Sequence, residues 1–439
     1  MKEFQECARE MLAFIEESPS CFHAVANVAG MLRAQGFREL KETEDWNIGE
    51  DKCFYVVRND SSLIAFRLPD GQGEKDSSGS RRVPKGFHIV ASHSDSPTFK
   101  VKEAPEMAVE EHYLKLNTEK YGGMILSTWM DRALSVAGRV ALQTDQCVVT
   151  RLVNLDSDLL VIPNLAIHMN RDMNKGVEYN PQVDMLPLYA DCSEGEKKDV
   201  LAARIARKLN VAREDILGQD LFLYVREKGR IFGENGEFVL SPRLDDLQCV
   251  FASVKGFLES EPLEYINVCA VFDNEEVGSS TRQGADSTFL EDVLRRIVEC
   301  RYAGLADLSP MVAGSFLISA DNAHGVHPNH PEKADPTNRP YLNGGIVIKY
   351  HGSQKYTTDA VSGAKVRILC KEADVPCQTY ANRSDVPGGS TLGNISTAHV
   401  SVESADIGLP QLAMHSAVET AGVKDTRYAV ELFKTFFRK

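Results

Sequence analysis

The sequence predicts an α/β fold, a largely parallel sheet with helices, interrupted by a β-rich insertion. Three observations carry this. The runs 87–92, 265–272 and 315–320 are apolar over several residues and bounded by polar groups, the pattern of buried strands. The middle of the chain changes to alternating segments such as Tyr113-Leu114-Lys115-Leu116 and Val148-Val149-Thr150-Arg151-Leu152-Val153, which suit antiparallel strands. The last third returns to strands alternating with helices, which favours parallel pairing. Residues 1–97 and 236–439 are therefore expected to form one domain, with 98–235 inserted into it.

The chain opens with two predicted helices. Cys7, Ala8, Met11, Leu12, Phe14 and Ile15 make an apolar stripe near helical spacing, and Ser18-Pro19-Ser20 stops it. A second helix is predicted from Ser20 to near Gly36, with its His23 capping or packing rather than catalysing. Residues 70–86 are rich in Gly, Ser and charge and read as an exposed loop. The run 87–92 then leads into His93-Ser94-Asp95. Late in the insertion, Glu234-Asn235-Gly236-Glu237 signals a hairpin turn. Beyond it, Leu240-Ser241-Pro242-Arg243-Leu244-Asp245-Asp246 brings back polar residues behind apolar ones. The run 265–272 leads into Asp273-Asn274-Glu275-Glu276, and 315–320 into Asp321-Asn322-Ala323-His324.

Composition narrows the function. The 439 residues suffice for two or three domains, and 43% apolar content suits a globular core. A net charge of −14 argues against nucleic-acid binding, because phosphate contacts need a basic face. No apolar run approaches the ~18 residues that suggest a membrane span. The start, Met1-Lys2-Glu3-Phe4-Gln5-Glu6-Cys7, lacks the apolar stretch of a secretion signal. A cytoplasmic protein is expected. The ten cysteines show no Cys-x-x-Cys spacing, and Cys249, Cys269 and Cys370 read as small core residues with reduced thiols. The chain has no Gly-x-Ser-x-Gly elbow, phosphate loop, Gly-x-Gly-x-x-Gly fingerprint or His-Glu-x-x-His helix. Asn-x-Ser matches at Asn59, Asn382 and Asn394 carry little weight without a secretory signal.

Three buried runs that each end in carboxylates or imidazoles point to a metal site, since ligands bind at the C-terminal ends of strands in open α/β sheets. The candidate ligands are His93, Asp245, Glu276, Asp321 and His415, the last within Leu412-Ala413-Met414-His415-Ser416. Nitrogen and oxygen donors without sulfur suit zinc, manganese or cobalt and do not choose among them. Two imidazoles and three carboxylates are too many for one catalytic zinc, which keeps about three protein ligands. They suit two ions roughly 3.5–4 Å apart that share a carboxylate and activate a water between them. Of adjacent Glu275 and Glu276, one can ligate while the other faces the water as general base, because successive side chains point apart at a strand end. Asp95, placed just after His93, can hydrogen-bond that imidazole and fix its tautomer.

At these residues the sequence resembles the M18 family of metallopeptidases, the aspartyl aminopeptidases. The matching stretches are Ala91-Ser92-His93-Ser94-Asp95-Ser96-Pro97, Ser241-Pro242-Arg243-Leu244-Asp245-Asp246, Phe272-Asp273-Asn274-Glu275-Glu276-Val277-Gly278-Ser279, Asp321-Asn322-Ala323-His324-Gly325-Val326-His327-Pro328-Asn329 and Pro410-Gln411-Leu412-Ala413-Met414-His415-Ser416. They occur in family order and span nearly the whole chain. The resemblance implies a three-layer α/β/α catalytic domain with two zinc ions per subunit (cobalt or manganese being possible substitutes) and an inserted β-rich domain for oligomerisation or as a lid. It implies that His93, Asp245 and Asp321 hold one ion, that Asp245, Glu276 and His415 hold the other, and that Glu275 is the base. Asp246 stands where the family commonly has Asn, so it is a competitor to Asp245 in principle. His327, Asn329 and His330 are not counted as ligands.

The family removes N-terminal Asp or Glu from peptides, and an acidic substrate needs a local cation in a chain this acidic. The resemblance assigns substrate contacts to Lys349, Tyr356, His324 and His168. His168 lies in Asn164-Leu165-Ala166-Ile167-His168, similar to a family segment that reaches a neighbouring subunit's site. A homo-oligomer is implied, typically a dodecamer. The alternatives are a related dinuclear aminopeptidase or deacylase of other specificity, and a catalytically silent scaffold of the same fold.

Overall fold

The computed structural model describes residues 1–71, 82–192 and 198–439. Most of the loop expected at 70–86 lies outside the described residues. The main sheet has nine strands in the order β1 (Arg38–Leu40), β2 (Cys53–Arg58), β3 (Ser62–Arg67), β13 (Ile266–Phe272), β4 (Phe87–His93), β14 (Phe316–Ala320), β18 (Glu403–Gly408), β16 (Ile346–Tyr350) and β17 (Cys377–Ala381). The three runs predicted as buried strands are β4, β13 and β14, side by side and parallel. Phe272 pairs with His93 and Ser319 with Ala91. Parallel pairing extends to β18, while β3 and β16 run antiparallel to their inner neighbours.

Every residue of β4, β13 and β14 is buried, because helices cover both faces of the sheet. Val90 packs into one core with α1 (Lys2–Glu16), α2 (Cys21–Ala34), α4 (Leu244–Leu258), α7 (Ala360–Glu372) and α9 (Asp425–Phe437). Phe87, Ile89 and Ala91 point the other way, into a core shared with α5 (Phe289–Arg301), α6 (Leu308–Ala313) and α8 (Leu392–Ser396). The result is the expected three-layer α/β/α architecture. Ser20 caps α2: its oxygen accepts from the His23 backbone at 3.5 Å and lies 2.8 Å from His23 Nδ1, so His23 packs in the first turn against the cap.

The second sheet has the order β8 (Val148–Asn154), β7 (Leu134–Gln143), β10 (Ile216–Val225), β5 (Thr98–Val109), β6 (Tyr113–Tyr121) and β9 (Leu188–Asp191). Its pairings are antiparallel. It closes a separate core with α3 (Val200–Leu209) and Trp129, and leaves Val148, Val149 and Leu152 of the edge strand exposed. A third sheet, β11 (Arg230–Phe232), β12 (Phe238–Ser241), β20 (Glu419–Gly422), β19 (Pro410–Leu412) and β15 (Ala323–His324), lies next to the ligand-bearing loops. The turn predicted at 234–237 joins β11 to β12. β11, which the 98–235 division groups with the insertion, therefore pairs into this third sheet. Among the described residues, no helix is long and apolar enough to cross a membrane.

Candidate metal centre and its surroundings

The C-terminal edge of the main sheet gathers the sequence-predicted ligands. His93 ends β4, and Asp321 follows β14 directly. Glu275 and Glu276 sit in a short 3₁₀ turn after β13, entered through Asn274 at φ 62°. Asp245 stands at the start of α4 and His415 between β19 and β20. Three overlapping sets have donor atoms within 4.8 Å of one another: His93 with Asp245, Asp246 and Asp321; His93 with Glu275 and Glu276; and Asp245 with Glu276 and His415. Asp245 bridges the sets, with Oδ1 3.5 Å from His93 Nε2 and Oδ2 3.5 Å from His415 Nε2. His415 Nε2 also lies 3.4 Å from a Glu276 oxygen. Asp246 belongs to the first set, but one of its oxygens already accepts the His93 backbone N–H at 3.1 Å.

The electrostatics fit a cation. Burial pushes the carboxyls of Glu276, Asp246 and Asp321 upward, and neighbouring carboxylates push them the same way. Burial, then the charges of Asp321, Asp95 and Asp245, raise Glu275 to about 8 against the pull of His93. Burial disfavours charge on Asp245 too, yet the His415 and His93 imidazoles facing it hold it below the usual carboxylate range. His415 is raised to about 10, its carboxylate partners overcoming burial. Carboxylates thus outnumber the imidazoles that face them. Asp245 Oδ1, Asp246 Oδ1 and Glu276 Oε1 are buried with no hydrogen-bond partner. Unpaired buried carboxylate oxygens are costly unless they coordinate metal. The donor set is one that zinc, manganese or cobalt accepts.

A surrounding layer orients these donors. Asp95, 3% exposed, holds His93 Nδ1 through its backbone carbonyl at 3.1 Å and places Oδ1 at 3.3 Å, which turns Nε2 toward Asp245. The Asp95 carboxylate also accepts the backbone N–H groups of Glu275 and Glu276, each at 3.2 Å. Sequence reasoning anticipated Asp95 and missed several others. Tyr121 donates to Asp95 at 2.7 Å. Glu419 accepts the backbone N–H groups of Asp245 and His415 at 3.1 and 2.8 Å. Asp406 accepts from the Thr357 backbone and from the hydroxyls of Thr357 and Thr391, tying down two loops beside Lys349. The closeness in sequence of Glu419, the first residue of β20, to His415 was the available signal. Tyr121 offered none, because it ends an ordinary alternating strand.

The residues assigned to substrate divide into two places. Lys349 ends the buried part of β16, with Nζ 3.8 Å from Asp321 Oδ2 and 5.5 Å from the centre of the Tyr356 ring. Burial opposes its charge, but Asp321 leads a set of negative neighbours that holds the ammonium well above its ordinary range. Tyr356 packs with Tyr380, whose ring lies 6.2 Å from that of His324. His168 stands apart, on an exposed turn of the insertion, and belongs to none of the three donor sets.

This constellation has relatives. Residues 14–437 match the family model described as aminopeptidase I zinc metalloprotease (M18). A Clostridium novyi protein named probable M18 family aminopeptidase 2 is 49% identical over 440 residues, covering 100% of both chains. A solved structure of the Ape4 and Nbr1 complex superposes with a TM-score of 0.92 at 36% identity, covering 99% of this chain and 86% of that one. The S. cerevisiae mApe1 dodecamer gives a TM-score of 0.86 at 28% identity, covering 99% and 97%. The likeness runs through every segment that supplies a donor, and so the chain belongs to the M18 family of zinc metalloaminopeptidases.

Proposed function

We propose that this aminopeptidase removes N-terminal Asp and Glu from peptides, using two divalent ions that share Asp245. The observation carrying the reading is the position of Asp245, one oxygen toward His93 and the other toward His415. His93, Asp245 and Asp321 would hold one ion, and Asp245, Glu276 and His415 the other. When bound, such ions, zinc by family, supply Lewis acidity toward a carbonyl and toward water. The remaining work falls to the chain's own side chains. The Glu275 carboxylate takes the proton of the attacking water and passes it to the leaving amine. Asp95 keeps the His93 ring turned toward Asp245. Lys349 pairs with the acidic side chain of the substrate, and its 3.8 Å contact with Asp321 holds it in place beforehand. Tyr356 and His324 line the same side.

In this reading the insertion, residues 98–235, serves as lid and contact surface of a homo-oligomer, and His168 reaches the site of a neighbouring subunit. Support comes from the exposed apolar side chains Leu165, Ile167 and Met169 around it and from the dodecameric relative. The ten free cysteines suit a reducing, cytoplasmic setting.

A profile of N-terminal amino-acid amides, run with metal analysis, tests the reading. Asp and Glu amides should be cleaved well ahead of Leu and Ala amides. Chelation should abolish cleavage, and zinc, cobalt or manganese should restore it. A preference for neutral residues would overturn the specificity, and full activity in metal-free protein would overturn the metal mechanism. Light scattering should show an assembly much larger than a dimer. Mixing inactive His168→Ala and Glu275→Gln subunits should recover activity, and no recovery despite confirmed mixing would confine His168 to its own subunit.

A further inference from the structure

We infer that the segment from Tyr121 to Ile125, where β6 leaves the inserted sheet, is a working part of the metal centre, with Tyr121 as a positioning residue for the ligands. The inference rests on the ligand assignment proposed above. Asp95 is the hub on one side. Its Oδ1 accepts from Glu275 N and faces His93 Nδ1, while its Oδ2 accepts from Glu276 N and from the Tyr121 hydroxyl. A rotation of that one carboxylate would release the turn carrying both glutamates and take a charge from beside the His93 imidazole, whose Nδ1 also lies 3.1 Å from the Asp95 carbonyl. The tyrosine bond is the shortest of the three hydrogen bonds to this carboxylate, at 2.7 Å, and the one that comes from the other sheet. The phenol is itself held. Asn274 Nδ2 donates to its oxygen at 2.8 Å, and its ring packs edge-on against Phe222 with centroids 5.5 Å apart. Asn274 immediately precedes Glu275, so the hydroxyl ties the turn to the end of β4 from outside.

The next residues do the same for the other side of the site. The Gly123 carbonyl lies 2.7 Å from His415 Nδ1. A carbonyl can only accept, so that nitrogen carries the proton and Nε2 is left for Asp245 and Glu276. Ile125 N donates to the His415 carbonyl at 2.9 Å. Between them, Gly122 has φ +81°, and a Cβ there would stand 3.1 Å from Glu276 Cβ. Four residues of this short stretch, Tyr121, Gly122, Gly123 and Ile125, thus lie against Asp95, Glu276 and His415, although none of the proposed ligands belongs to the insertion. How the inserted sheet sits on the main sheet is read directly at the ligands.

Tyr121→Phe tests this in the full chain, because it keeps the ring on Phe222 and removes only the hydroxyl. Zinc affinity is measured by competition with a chromophoric chelator, and thermal unfolding is followed in the metal-free protein. We expect a loss of zinc affinity of about 10–100-fold, the range for groups that orient metal ligands, with the metal-free Tm unchanged. In the zinc-loaded enzyme kcat should fall while KM holds. Tyr55→Phe removes another buried hydroxyl, bonded to Glu39 and far from the ligands, and should leave zinc affinity at the wild-type value. Gly122→Ala, which crowds Glu276, should weaken zinc binding in the same direction. Wild-type zinc affinity in Tyr121→Phe, or a lower metal-free Tm with affinity unchanged, would overturn the inference. Glu276→Gln separates the two levels. If it loses zinc while Tyr121→Phe does not, the inference alone fails. If Glu276→Gln also binds like wild type, the ligand assignment fails and the inference falls with it.

Discussion

His88 and His93 stand near opposite ends of the same strand, β4, and both are buried, yet their surroundings drive them in opposite directions. The His88 ring stacks on Tyr265 with centroids 3.9 Å apart and packs near Phe436, and its Nδ1 has no partner. Burial pushes its pKa down to about 3. Burial acts the same way on His93, but Asp246, Asp245, Asp95 and Glu275 overcome it and raise the imidazole well above its ordinary value. Residue type and depth are shared; the difference is what the neighbouring strands deliver at each end. Parallel strands bring like ends together. One edge of the sheet therefore becomes a packing surface and the other collects charge that calls for a cation.

Breaking the charged end should have the larger consequences. Asp245→Asn, which weakens the carboxylate shared by two of the three donor sets, should remove hydrolysis and most bound zinc. Metal analysis and amide cleavage check it, and an active, zinc-loaded Asp245→Asn would turn attention to Asp246. Glu275→Gln should keep the metal content and lower kcat by about 10²–10⁴-fold, the scale of general acid–base catalysis. Glu276→Gln should instead lower metal occupancy, and exchanged phenotypes would reverse the two roles. Next in size, Lys349→Ala should cost on the order of 2–5 kcal/mol in kcat/KM on acidic substrates, as for a charge partner lost from a desolvated site. Neutral substrates should be affected far less; an equal loss on both would reject the specificity role.

The same contrast explains what was legible in the sequence. β4, β13 and β14 could be read because strands covered on both faces are continuous apolar runs. His93, Glu275, Glu276 and Asp321 could be read because each follows such a run. Asp245 and His415, though counted among the candidate ligands, follow no such buried run, and it is the family resemblance that assigns them to the two ions. Tyr121 and Gly123 were not legible. Tyr121 acts only because β6 docks against the end of β4, a long-range placement that no local pattern encodes. Gly123 acts through its carbonyl, which every residue possesses. The chain signals donors locally and hides the groups that aim them.

The quiet end of β4 allows the finest test of the comparison. Above about pH 6.5 the His88 imidazole is neutral whether the chain is folded or not. Between there and its folded value of about 3, the unfolded chain takes a proton that the folded chain refuses. The unfolded state then binds more protons, so this residue's contribution to stability falls as pH falls, by about 2–3 kcal/mol near pH 4.5. His88→Phe preserves the stack on Tyr265 and removes a buried ring nitrogen that has no partner, so at neutral pH the two proteins should be of similar stability. Phe has no proton to lose or gain, so the variant escapes the acid penalty. A gap in the variant's favour should therefore open below neutrality and reach about 1 kcal/mol near about pH 6, growing with the proton-linked loss. Urea unfolding of both metal-free proteins between about pH 7.5 and about pH 5 measures the gap, and titrations shared by the two proteins cancel in the difference. A gap that stays constant over this range would mean that folded His88 accepts its proton as readily as the unfolded chain does, and the two ends of β4 would not differ in the way their neighbours imply.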